Sequence, residues 1–190
     1  MASSIRKDMA EIYDIRADGE WATIALVCCE KSSVSNHWGG EILIHSSFGC
    51  FNHGWLACGK PFKEFLIGIK FDYFMKKCLG AKFYVFDGEE TFKVAVSRVL
   101  EARRAKELWK TDARSMYDDL YERKDDLVVS ADQFMLNTEL VTDRPAQWRV
   151  FEEAYDMIQR KPDQQAQAFW EKLWPLFENQ LRTEVGQVCN

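Results

Sequence analysis

The chain lacks most of the marks by which a sequence declares its chemistry. No P-loop, no G-x-G-x-x-G and no G-x-S-x-G elbow occurs among its 190 residues, so a phosphate cradle and a serine-hydrolase turn are both without their signature. Histidines number only three, His37, His45 and His53. No C-x-x-C pair is present, and the spacing of the six cysteines fits no zinc ribbon. No run reaches the roughly eighteen apolar residues that a membrane-spanning helix needs. The first residues have no apolar stretch of signal-peptide length. Basic excess is absent too: 25 Lys and Arg stand against 30 Asp and Glu, a net charge of -5. A protein that lives by general attraction to phosphate should be basic, so non-specific nucleic-acid binding is not expected.

What is present is a core. The hydrophobic fraction is 47% and the charged fraction 29%, values of a folded chain long enough to bury an interior. Aromatics reach 14%, with seven Trp and thirteen Phe, enough for large buried areas and for one or two exposed anchors. The cysteines read as reduced thiols, mostly buried packing residues.

Read in order, residues 1–20 form a short helix or an arm, closed by the Asp18-Gly19 turn signal. Trp21 to Cys29 is a β-branched strand. A polar loop carrying Trp38 follows. Glu41 to Phe48 and Phe51 to Ala57 alternate as a hairpin about Phe48-Gly49-Cys50, with Ile42, Ile44 and Ser46 on one face and Phe51, His53 and Trp55 sharing another. Pro61 opens a helix predicted to about residue 78, with Gly80 as its stop. Lys82 to Phe86 reads as a short strand. Helices are predicted from Glu89 to Lys110, from Thr111 or Asp112 to Arg123, over Ala131 to Leu136, from Thr142 to Arg160, and from Pro162 to about Glu184 with Pro175 kinking or dividing the last. Strands first and helices later give an α+β fold. Residues 1–86 form an antiparallel sheet of three or four strands packed by helix 61–78, and 87–190 form a helical region packed on it as one unit.

Candidate chemistry centres first on the histidines. A three-residue turn at 48–50 makes His45 and His53 cross-strand neighbours roughly 5 Å apart. A two-residue turn puts Ser46 opposite His53 instead. Two imidazoles do not complete a metal site, and no further ligand stands at useful spacing. Ser46 makes no nucleophile and base with His45, because adjacent strand residues face opposite ways, and no G-x-S-x-G elbow supports either serine. Arg103, Lys106, Lys110 and Arg114 recur at three- and four-residue steps, one face of a helix able to bind phosphate or acid, or a solvated stripe paired with Glu101 and Glu107. Asp118, Asp119, Glu122, Asp125 and Asp126 form the reverse patch, able to dock a basic partner. Trp170, Trp174 and Phe177 read as core.

The segment His45-Ser-Ser-Phe-Gly49, Trp55, Gly59, Pro61-Phe-Lys-Glu-Phe-Leu66 and Phe71-Asp-Tyr73 resembles the hairpin-to-helix unit of small accessory proteins of bacteriophages and prophages. The tail, Pro162-Asp-Gln-Gln-Ala166, Phe169-Trp170 and Leu173-Trp-Pro175, is similar to the ends of the same proteins. The resemblance implies a bacterial cytoplasm during infection or from a prophage, and a protein that binds and blocks a host macromolecule, such as a component of an antiviral defence system. It brings no catalytic residues with it. The expectation is therefore a non-enzymatic binding protein with no cofactor and no metal, with a homodimer open. Its binding residues are expected among His53, Trp55, Lys63, Arg103, Lys106, Lys110, Arg114, Asp118, Asp119 and Glu122. One alternative is a sponge for a small anionic ligand such as a signalling nucleotide, with Trp55 or Trp38 stacking a base and Lys63 or Arg103 near the phosphates. The other is a histidine- or metal-dependent enzyme.

Overall fold

Alternation with period two builds the first sheet. In the computed structural model, which describes residues 9–29, 38–140 and 149–188, four antiparallel strands lie in the order β1 (Glu11–Ala17), β2 (Glu20–Cys29), β3 (Gly39–Ser46) and β4 (Gly49–Trp55). Ala22, Ile24 and Leu26 of β2 and Ile42 and Ile44 of β3 send their side chains into the core, while the residues between them face out or stay half-buried. The β1 strand corrects the reading of residues 1–20 as an arm or helix over Glu11–Ala17, while residues 1–8 lie outside the described residues. Tyr13, Ile15 and Ala17 alternate inward, and Ala17 pairs with Glu20 across a two-residue turn. Asp18 and Gly19 both take positive φ, 51° and 81°, the backbone of a tight hairpin whose twist matches its strands.

The second hairpin also turns on two residues, Ser47 and Phe48, rather than on Phe48-Gly49-Cys50. Ser46 Oγ donates to the Gly49 carbonyl at 2.8 Å and accepts from the Phe48 N–H at 3.2 Å, which pins the tight turn. Gly49 takes the positive φ, 116°, as the first residue of β4. Gly40 belongs to β3 rather than to a loop. A Cβ there would meet the Phe62 ring at 2.2 Å, so the bare backbone is what admits the following helix.

The chain divides into two compact units, residues 1–83 with 162–190 and residues 84–161. This differs from a boundary at 86/87: the last helices belong with the sheet. In the sheet unit, the helix predicted over 61–78 is two helices, α1 (Phe62–Leu66) and α2 (Phe71–Leu79). Gly68, at φ 79°, separates them, and its N–H donates to Glu178 Oε1 at 3.0 Å instead of to a helical carbonyl. Gly80 ends α2 with φ 56°. The final pair is α7 (Gln164–Lys172), capped by the Asp163 carboxylate on the Ala166 N–H, and α8 (Trp174–Val188). Pro175 divides them and sits in the first turn of α8, where its missing N–H is not needed. Trp55, Phe62, Phe74, Phe83, Phe169, Trp174 and Phe177 are buried together, with Trp170 and Trp174 stacked 4.6 Å apart.

The second unit holds β5 (Tyr84–Phe86), which pairs with β6 (Arg160–Pro162) at the unit boundary, then α3 (Gly88–Arg104), α4 (Lys110–Glu122), α5 (Lys124–Leu127) and α6 (Ala131–Leu140). Asp87 caps α3 through the Glu90 N–H, and Ser130 accepts from the Gln133 N–H at the start of α6. Small residues carry its packing: Ala95, Ala102 and Ala113 are buried beside Phe92, Met116 and Phe134. The helix predicted over 142–160 is corrected in part. Residues 149–160 form turns, a short 3-10 helix at Ala154–Met157 and the start of β6, and the remainder of that span lies outside the described residues, as does His37.

Candidate functional site

The register settles the histidine pair against both alternatives. His45 stands opposite Cys50, and His53 stands opposite Ile42. The two rings lie on opposite faces of the sheet. His45 is on the open face with its ring edge-on to Trp21 at 4.8 Å. His53 is half-buried on the core side, 4.6 Å from Trp55, and burial, then the charge of Lys77, holds its pKa below the ordinary imidazole value. Among the described residues no group of three His, Cys, Asp or Glu is placed to hold a metal ion. Ser47 Oγ donates to Glu20 at 2.7 Å, and with Ser46 it serves the turn. The cysteines correct the expectation of buried packing. Cys28 and Cys50 are exposed and Cys58 and Cys78 half-buried, with burial pushing the Cys78 thiol up to about 12.

Trp55 is not a rim residue. It is 7% exposed, its Nε1 donates to the Tyr73 hydroxyl at 3.1 Å, Phe74 stacks on it and Phe65 meets it in an edge contact. Lys63 is enclosed: its ammonium pairs with Glu11 and, at 2.8 Å, with Glu184, under the Tyr13 ring. The Tyr13 hydroxyl stands 2.9 Å from an oxygen of each carboxylate and shares its single proton between them. Burial works against the lysine charge, but the hydrogen bonds to Glu11, Glu184 and Tyr13 outweigh it and hold its pKa above the usual range. Burial likewise raises Glu184, while Lys63, Gln180 and Tyr13 pull it down further and leave it low. The four side chains tie β1, α1 and α8 of the sheet unit together, and they leave Lys63 no charge to offer a ligand. Residues 11, 63 and 184 are too far apart in sequence for spacing to have joined them.

The basic stripe does not lie on one helix. α3 ends at Arg104 and α4 begins at Lys110, so Arg103, Lys106, Lys110 and Arg114 share no common face, and only Lys110 and Arg114, one turn apart on α4, remain together. The break is a well-formed helix stop: the Lys106 N–H donates to the Arg103 carbonyl at 3.2 Å and the Glu107 N–H to the Ala102 carbonyl at 2.9 Å. These are the two bonds of a Schellman motif, and its left-handed position, usually glycine, is Lys106 at φ 64°. Leu108 is then buried and its neighbour Trp109 is 78% exposed. Among the described residues the Trp109 indole has no ring or hydrogen-bond partner, and Arg103, Arg104, Lys106 and Lys110 have no ion pair. Arg114 pairs with Asp118 at 2.8 Å along α4.

Asp119 accepts from Ser115, and Glu122 is exposed on the last turn of α4. Trp109 was missed as an anchor because it fits no apolar stripe. The signal was there in the pair Leu108-Trp109 between Glu107 and Lys110, since only one of two adjacent large side chains can turn into the core. A shallow depression along α3, lined by Glu90, Lys93, Ser97, Arg98 and Glu101, is largely self-paired, as Lys93 meets Glu90 at 2.9 Å. Among the described residues no helix is long and apolar enough to cross a membrane.

A family model described as a phage family matches residues 3–183. No curated protein and no solved structure matches the chain.

Proposed function

The chain belongs to this phage family, and from that premise we propose that it acts in the bacterial host cytoplasm as a non-enzymatic protein that binds and inhibits a host protein, of the kind that serves antiviral defence. The observation that carries the reading is Trp109. An indole left 78% exposed without a ring partner among the described residues is an uncommon expense of apolar surface in water, and Trp, Tyr and Arg are the side chains enriched at the energetic centres of protein interfaces. Arg103 and Arg104 precede it by a few residues. The small-anion reading loses two of its groups, because Trp55 is buried and Lys63 is enclosed by carboxylates.

The test is affinity capture of the tagged full chain from a bacterial host, with quantitative mass spectrometry, alongside Trp109→Ala. A host protein enriched by the parent chain and reduced about thirtyfold by the variant is the expected result, the effect of losing a central anchor. Equal capture by both chains, or enrichment of nothing, overturns the proposal.

A further inference from the structure

We propose that the surface around Trp109 receives an acidic protein segment, with an apolar side chain packed on the indole and carboxylates met by Lys106 and Lys110. This rests on the reading of Trp109 as the docking anchor and adds the chemistry of what docks. Two lysines of this surface each break a local rule. Lys106 holds the left-handed position of the Schellman motif, φ 64°, where a side chain crowds the backbone and glycine does not. Lys110 is the first residue of α4, where the positive end of the helix dipole disfavours a cation. The cap residue before it, Trp109, supplies no side-chain acceptor to the helix. Local violations of this kind concentrate where a sequence serves something other than its own fold.

Pairing separates these lysines from five others, although Lys60, Lys70, Lys77 and Lys82 are likewise without a carboxylate among the described residues. Lys63, Lys93, Lys124, Lys161 and Lys172 each meet a carboxylate within 3.3 Å. Lys106 and Lys110 meet none among the described residues, nor do Arg103 and Arg104. Of the five charged residues from Arg103 to Lys110, four are cations without an ion pair among the described residues and Glu107 is the one carboxylate, all around one exposed indole. That is the anatomy of an anchor with a charged rim.

The charge pattern favours a protein over a nucleic acid. Residues 84–161 carry more carboxylates than cations, and α4 presents Asp118, Asp119 and Glu122 beyond its first turns. A continuous phosphate backbone would run against those carboxylates, whereas a short acidic segment engages only the local cations. Binding of single strands also relies on several aromatic platforms in succession, and this segment offers one.

The experiment uses the full chain and a fluorescent peptide of alternating glutamate and leucine, with a lysine-leucine peptide and an oligothymidylate as comparisons. Fluorescence anisotropy gives the affinities, and thermal melting reports folding of each variant. The acidic peptide should bind more tightly than either comparison. Lys106→Gly should weaken it about threefold to fivefold while melting no lower than the parent, and Lys106→Arg should restore it. A tighter oligothymidylate complex assigns the surface to nucleic acid and overturns the proposal. So does unchanged affinity in Lys106→Gly. If a host protein is captured through Trp109 and the acidic peptide is not bound, docking stands and the acidic partner falls; if capture also fails, both fall.

Discussion

Two lysines, one in each unit, stand in opposite surroundings. In the sheet unit Lys63 is closed in by Glu11, Glu184 and Tyr13; in the helical unit Lys106 stands in a strained turn with no carboxylate among the described residues. The interiors of the two units differ as well. The first core is a continuous stack of large rings running from Trp55 through Phe74 and Trp174 to Phe177. The second brings backbones close through glycine and alanine, so that a Cβ on Gly88 would meet the Val128 carbonyl oxygen at 2.1 Å. Where polar groups are satisfied internally, a surface has done its work in folding. Where they are left open, the fold does not explain them.

The comparison is broken most severely by changes of opposite size. Trp174→Ala should cost about 3–5 kcal/mol in urea denaturation, because it empties the centre of the ring stack. Trp174→Phe should recover most of that, since the Trp174 Nε1 is buried without a hydrogen-bond partner among the described residues and removing it relieves an unsatisfied donor. Trp109→Ala should change stability by no more than about 0.5 kcal/mol. A large loss there would make Trp109 a packing residue and end its claim as an anchor. In the helical unit the damaging direction is small to large: Gly88→Ala should cost about 3 kcal/mol, because the obstacle is backbone and cannot rotate aside.

The Lys63 cluster gives a smaller effect with a pH signature. Lys63→Met should cost about 1 kcal/mol, reduced by salt, since the group is partly exposed. Glu184 is held below its usual pKa in the folded chain, so its contribution is complete above the unfolded value and is lost as pH falls through the folded one. Lys63 is held above its usual value, so its contribution is complete below the unfolded pKa and fades as pH rises through the folded one. The parent should therefore lose stability at both extremes relative to Lys63→Met, and parallel pH profiles for the two chains would remove the cluster from the account.

Much of the architecture was legible because its signals are local. Alternation in Glu41 to Ala57, the Asp18-Gly19 turn, the stop at Gly80 and the division at Pro175 all depend on neighbours in sequence. The hairpin register was not, because Gly49 serves equally well inside a turn or just after it, and the choice fell to a side-chain bond from Ser46. The split at Gly68 was hidden by apolar residues that keep helical spacing across it. β1 was hidden because only half its residues face the core. Of the candidate site, the basic residues were visible, but their common face was not real: spacing assumes a continuous helix, and the chain reverses at Lys106 without the glycine that announces such a stop.

That missing glycine gives the smallest effect and the sharpest reading of the two units. Lys106→Gly should raise stability by about 0.5–1 kcal/mol, because glycine adopts the left-handed backbone without crowding. Its greater freedom in the unfolded chain takes back part of the gain. Lys106→Asn should gain less, since asparagine tolerates that backbone but keeps a Cβ. Urea midpoints at constant slope decide it. If both variants are less stable than the parent, the lysine stem is packing on its own turn, and Lys106 belongs with Lys63 as a structural residue. If both are more stable, the parent keeps a lysine where its own fold would be better served by glycine, and the reason for that residue lies outside the chain.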